Sequence, residues 1–319
     1  MTTVTEFFIV GFQSSRYLKI YLISLILMVY CGTLCGNLLI ITLVSTSKNL
    51  HVPMYFFISQ LSITDIFLTA NIVPTMIHIL LNNGATITII SCMTQFYVFG
   101  TTEVSECLLL TVMSYDRYVA ICNPLLYSSI MTKNRCVTLA AMCWVLSFFL
   151  SFIETLFTSK LTFCGPNVID HFFCDLVPLM KIACSGLYTM ELVNYILTFP
   201  VLLSQITIII ISYTNIIVTI LRFQSRISRQ KAFSTCSSHL IVVIIFFVTL
   251  LSVYIFPTEG QTLNTSKLLS LLYTVFTPFI NPIIYSLRNK EIKKSLQEIF
   301  NKLITKRGKM LKRTITKSI

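Results

Sequence analysis

The chain has 319 residues, 55% of them hydrophobic and 11% charged, with a formal net charge of +12. Soluble proteins carry about 25% charged residues, so this chain cannot cover a water-facing surface and belongs in a bilayer. The basic excess lies at the ends of apolar runs, which speaks against nucleic acid as a partner and for membrane lipid.

Seven apolar segments follow one another, at 21–46, 54–80, 92–122, 137–158, 190–221, 232–256 and 266–287. Unsatisfied backbone is intolerable in lipid, so each is expected to be a helix. The fold class is therefore all-α, a seven-transmembrane helix bundle. With the N-terminus outside, the outer segments hold Arg16, Lys19, Lys160, Lys181 and Lys267, and every other Lys and Arg falls inside. That asymmetry sets the orientation. It divides the chain into an extracellular N-terminus (1–20), the bundle (21–287), and a cytoplasmic amphipathic helix with a basic tail (288–319). Met1 to Phe12 lack a basic region followed by a small-residue cleavage site, so the first span is expected to act as its own insertion signal.

The N-terminal stretch reads Val4-Thr-Glu-Phe-Phe-Ile-Val-Gly-Phe12. The first span carries Gly36-Asn37, a small residue and an amide suited to close helix packing. The second opens with Pro53-Met-Tyr-Phe-Phe-Ile-Ser-Gln-Leu-Ser-Ile-Thr-Asp65. Asp65 lies near mid-bilayer and must face the bundle interior. Glu103 and Glu106 of the third span share a helix face. Glu106 lies about 16 Å above Arg117 along the helix, close to the depth of Asp65. With Asn281 of the seventh span these acids make a polar cluster, which can hold a sodium ion on its oxygens. The same residues can instead share protons as neutral carboxyls. The third span ends in Met113-Ser-Tyr-Asp-Arg-Tyr-Val-Ala-Ile-Cys122. Asp116 and Arg117 sit where a helix meets the cytoplasm, and a local ion pair there would hold Arg117 back from other partners.

The fourth span has the single tryptophan, Trp144, as packing, and Glu154 near its outer end. The outer loop 159–189 brings Cys164, Cys174 and Cys184 to the oxidising side, where Cys92 also lies. Four cysteines allow three pairings, and sequence alone does not choose among them. The fifth span ends with Ser212-Tyr213, and the sixth begins Lys231-Ala-Phe-Ser-Thr-Cys-Ser-Ser-His-Leu240. His239 is either a pH-sensitive hydrogen-bond partner or a satisfied or solvated helix-end histidine. Asn264-Thr265-Ser266 is the one N-glycosylation sequon. The seventh span carries Pro278-Phe-Ile-Asn-Pro-Ile-Ile-Tyr-Ser-Leu-Arg-Asn289, where Pro282 favours a kink. Beyond it, Ile292, Leu296, Ile299, Phe300 and Leu303 line one side of a helix expected to lie on the inner leaflet.

These ordered motifs resemble the odorant (olfactory) receptors, a family within the rhodopsin-like (class A) G-protein-coupled receptors. The resemblance runs from Val4 to Asn289. Three departures stand out: Ser114 replaces the usual Ala, Phe246-Phe247-Val248 replaces Phe-Tyr-Gly, and no sequon precedes the N-terminal motif. The resemblance implies a receptor, not an enzyme, that binds a small, mostly apolar odorant among the outer halves of helices three to seven. By depth, the pocket candidates are Phe99, Gly100, Glu103, Val104, Leu197, Leu203, Phe247, Leu251 and Tyr273. Glu103 there is a counter-ion for an amine or a bond partner for a polar odorant, or it joins the Glu106 network. It further implies disulfides Cys92–Cys174 and Cys164–Cys184. Coupling would run through Asp116, Arg117, Tyr118, Lys231, His239, Asn281, Pro282 and Tyr285. The implied partner is a heterotrimeric G protein of the olfactory stimulatory type, acting through cyclic AMP. No cofactor is implied beyond a sodium ion at Asp65, Glu106 and Asn281. The expected location is the plasma membrane of olfactory neuron cilia. The alternatives are a related receptor for an internal ligand outside the nose, and an ion-coupled transporter, for which the expected internal repeats are missing.

Overall fold

In the computed structural model, residues 4–164, 166–254, 263–289 and 291–298 are described. Among the described residues six helices are long and apolar enough to cross a membrane: Arg16–Thr46, Pro53–Asn82, Ile89–Cys122, Lys133–Thr158, Leu187–Arg222 and Ser266–Ser286. Between the last two runs Arg226–Tyr254, whose apolar part, His239–Ser252, is shorter. These seven, numbered as spans in chain order, form one antiparallel bundle. The third span is central and packs against the second, fourth and fifth.

Several helices begin about a turn before the apolar stretch that announces them. The first starts at Arg16 rather than 21, and the fourth at Lys133 rather than 137. For the third and fourth spans the reason is capping. Thr132 accepts a hydrogen bond from the Arg135 amide, and Thr88 from the Ser91 amide, so the helical ladder starts in polar sequence. Two spans are not regular. The fifth contains a π-helical turn at Asn194–Thr198 and the seventh another at Leu272–Phe276. Composition points to a proline kink at Pro282, but the irregular turn lies higher, just before Pro278.

The outer end is closed by a small sheet that hydropathy does not announce. Strand β1 (Glu6–Ile9) lies between β2 (Ala85–Thr88), antiparallel to it, and β4 (Val168–Ile169), parallel to it. Phe7 and Ile9 are fully buried beneath it. The turn from the second span into β2 needs Gly84: its φ is +123°, and a Cβ there would come within 2.4 Å of Phe8 Cζ. A second pair, β3 (Thr162–Phe163) with β5 (Ala183–Ser185), closes the outer loop on itself.

The first and seventh spans meet at Gly32 and Gly36, where an added Cβ would fall 2.6 Å from Phe279 Cε2 and 3.0 Å from Pro282 Cγ. Pro282 cannot donate to the carbonyl of Pro278, four residues back. Asn37 Nδ2 donates to that carbonyl instead, at 3.2 Å. The amide thus satisfies the backbone group that the proline freed.

At the inner end, residues 291–298 form a helix. Ile292 is buried and Leu296 half-buried, both packed on the inner core cluster, and Ser295 Oγ meets Ser47 Oγ at 3.0 Å. These two residues dock the helix onto the bundle. Ile299, Phe300 and Leu303 lie outside the described residues, as does the basic tail.

Candidate functional site

At the cytoplasmic end of the third span, Asp116 is fully buried and Arg117 nearly so. Arg117 Nε donates to Asp116 Oδ2 at 3.0 Å, and its Nη2 pairs with the same oxygen. The second carboxylate oxygen accepts from Tyr127 OH at 2.9 Å. Tyr127 belongs to a short helix, Tyr127–Ile130, on the inner loop. Burial and the Asp116 charge push its phenol pKa upward, so it remains a donor. Sequence reading missed Tyr127, because its contact passes through a loop whose path no spacing rule fixes. Tyr118 is half-buried, tilts against Tyr115 and takes no part in the pair.

Beside this pair, Tyr213 OH and His239 Nδ1 are 2.5 Å apart. His239 is fully buried, which corrects the reading of a solvated helix-end histidine. Among the described residues its Nε2 and the Tyr285 hydroxyl are both buried without a hydrogen-bond partner. The side chain of Lys231 lies outside the described ones, and so does that of Asn264.

Further up, Asp65, Glu106 and Asn281 converge. Asn281 Nδ2 is 3.2 and 3.3 Å from the two Asp65 oxygens and 3.4 Å from Glu106 Oε1. All three are at most 2% exposed. Among the described residues no basic side chain pairs with either acid. The carboxylate oxygens of Asp65 and Glu106 suit a hard cation, whereas Asn281 turns its amide nitrogen, a donor, toward them.

In the outer half, Phe99 packs edge-on to Phe173 at 5.0 Å and tilts toward Tyr273 at 6.0 Å. Phe173 comes from the outer loop, next to Cys174, which is bonded to Cys92 with a Cα separation of 5.6 Å. Cys174 N also donates to Gln95 Oε1 at 3.0 Å. The loop is thus fixed over the bundle mouth at the third span. Cys164 and Cys184 form the second bridge within the loop. A third tie joins the loop to the seventh span, where buried Lys267 pairs with Asp170 and donates to the Gly11 carbonyl at 2.8 Å. His171, beside it, is buried between Phe172 and Phe173, each 4.7 Å away. Burial, then the Lys267 charge, pulls its pKa from 6.5 down to about 3.

Of the other pocket candidates, Glu103, Val104, Leu197 and Leu251 are half-buried. Gly100 faces Ser151 of the fourth span. Phe247 is buried against Phe246, ring centroids 5.3 Å apart. Leu203 is 47% exposed and points to lipid, so it is removed from the pocket. Its face is the reason: counting from buried Tyr213 and Ile209 at about 100° per residue, Leu202 and Gln205 turn inward.

The olfactory receptor family model matches residues 25–303. Olfactory receptor 6B9 of Mus musculus is 41% identical over 298 residues, 93% of this chain and 94% of that protein. Olfactory receptor 6B3 of Homo sapiens is 42% identical over 300 residues, 94% of this chain and 91% of that one. Among solved structures, squid rhodopsin superposes with a TM-score of 0.69 at 18% identity, covering 92% of this chain and 88% of its own, a likeness of fold.

Proposed function

The chain belongs to the olfactory receptor family, a multi-pass membrane receptor rather than an enzyme, and from that premise we propose that it couples a small, mostly apolar odorant to a stimulatory G protein of the olfactory type, raising cyclic AMP at the ciliary membrane. The ligand sits in the outer half of the bundle, under the loop, near Phe99, Glu103, Val104, Leu251 and Tyr273. A sodium ion at Asp65, Glu106 and Asn281 belongs to this proposal.

The observation that carries the reading is the buried Asp116–Arg117 pair, capped by Tyr127 and flanked by Tyr213–His239. It holds a cation at the inner mouth, ready to be exposed if the sixth span swings outward. A ligand drives that change only by binding the open state better. The test is a cyclic AMP response to odorant mixtures in cells that supply the olfactory G protein, with Arg117→Ala as the control at equal surface display. A response that survives Arg117→Ala would overturn the coupling role.

A further inference from the structure

Deepening that reading, and resting on it, we propose that the ligand of this receptor is a small alkylammonium, held between Glu103 of the third span and Glu154 of the fourth with the hydroxyl of Ser151 as a third contact. Glu103 lies within the electrostatic reach of Asp175, Glu154 and Glu106. Among the described residues neither Glu103 nor Glu154 has an ion pair, since the two salt bridges there are Arg117–Asp116 and Lys267–Asp170. Asp175 accepts from the Leu176 amide at 2.8 Å and sits above them, on the loop.

Carboxylates alone would not make a site. The independent observation is Ser151. It is 1% exposed, and its Oγ has no hydrogen-bond partner among the described residues. Its neighbours on the same helix bond back to their own backbone: Ser147 to Cys143 O at 2.7 Å, Thr155 to Ser151 O at 2.7 Å, and Thr158 to Glu154 O at 2.8 Å. Ser151 instead turns toward the third span. A Cβ added at Gly100 would lie 3.2 Å from Ser151 Oγ and 4.0 Å from Glu154 Oε2. Gly100 is one turn above Glu103 on the same face. One small region, in the half of the bundle where the odorant goes, therefore presents two carboxyl groups and a free hydroxyl, with no cationic side chain paired to them among the described residues. Burying such acids is costly unless a positive charge or a proton is supplied, and an ammonium offers both the charge and N–H donors. The apolar partners Phe99 and Tyr273 suit its alkyl part.

The test compares alkylamines with alcohols of the same skeleton, cyclohexylamine against cyclohexanol and 1,4-diaminobutane against 1,4-butanediol. Two readouts are used on the full chain: cyclic AMP in displaying cells, and thermal stabilisation of the purified receptor. Expected is an amine response and an amine-induced rise in melting temperature, each weakened roughly tenfold or more in half-maximal concentration by Glu103→Gln and by Glu154→Gln. Ser151→Ala is expected to weaken it severalfold. Alcohols acting as well as amines, or amine potency unchanged in both Gln variants, would overturn the proposal. A receptor answering neutral odorants only would sink the ammonium site and leave the receptor reading standing. Amine stabilisation that is lost in Glu103→Gln, with no cyclic AMP response, would do the reverse. Silence of the amines in both assays counts against the site.

Discussion

Acidification should loosen the outer loop, and His171 is the group responsible. Closed, the loop holds this imidazole neutral against two phenylalanines and beside Lys267, with a pKa near 3. Opened to water, it returns to about 6.5. The open state therefore takes up a proton that the closed state refuses, and the closed state loses stability as pH falls below about 6.5. From pH 7.5 to 5 the loss is about 2 kcal/mol, roughly a thirtyfold rise in the opening equilibrium. The facing charges are Lys267 and Lys181, which disfavour a proton on His171 throughout this range. The Lys267–Asp170 pair lies beside them. Hydrogen exchange of the amides at 8, 10 and 11, which donate to Asn167, Ile169 and His171 carbonyls, reads the opening once intrinsic rates are corrected for pH. His171→Asn should remove most of the pH dependence. Protection that is flat from pH 7.5 to 5, or that falls equally in His171→Asn, would refute the reasoning.

Losing the bridge at the third span through Cys92→Ser should cost about 2–5 kcal/mol. The double variant with Cys174→Ser should be no worse than either single one, read as surface display and melting temperature. Tyr127→Phe removes a bond to the charged Asp116 carboxylate worth about 1.5–3 kcal/mol, so basal cyclic AMP should rise about tenfold or more at equal display; an unchanged baseline would separate Tyr127 from the restraint on Arg117. Gly36→Val forces methyl groups against Pro282 and should destabilise by about 1–3 kcal/mol, whereas an unshifted melting temperature would mean the first and seventh spans part freely. If sodium occupies the Asp65 cluster, replacing choline chloride by sodium chloride should raise the melting temperature of the wild type and leave Asp65→Asn unmoved.

What could be read from the chain was depth; what could not was direction. A helix rises about 1.5 Å per residue whatever surrounds it, so counting along spans two, three and seven was enough to bring Asp65, Glu106 and Asn281 to one level, and the structure joins them. Leu203 was chosen by depth under the same rule and faces lipid. Face requires an anchor of known direction, and Tyr213 with Ile209 supplied it only after the fold was in hand. Strand β1 was hidden for another reason. Glu6-Phe-Phe-Ile9 does not alternate, and its partners lie about 80 and 160 positions away, so no local period marks it. Asn37 and Pro282 were each singled out, but the link through the Pro278 carbonyl depends on which helices are neighbours. The proposed ammonium site has this same character. From sequence, Glu103 was already a counter-ion for an amine, a bond partner for a polar odorant or a member of the Glu106 network, while Glu154 was placed only near the outer end of the fourth span. Their meaning comes from the third span packing on the fourth closely enough that Gly100 touches Ser151. A Cβ at position 100 would lie 3.2 Å from the Ser151 hydroxyl, a tight contact that the serine would have to relieve. Gly100→Ala should therefore impair amine potency without touching either carboxylate, because its Cβ would press on the Ser151 hydroxyl. If amine potency were unaffected by that substitution while both Gln variants lost it, the hydroxyl would be a bystander and the carboxylates alone would hold the ligand.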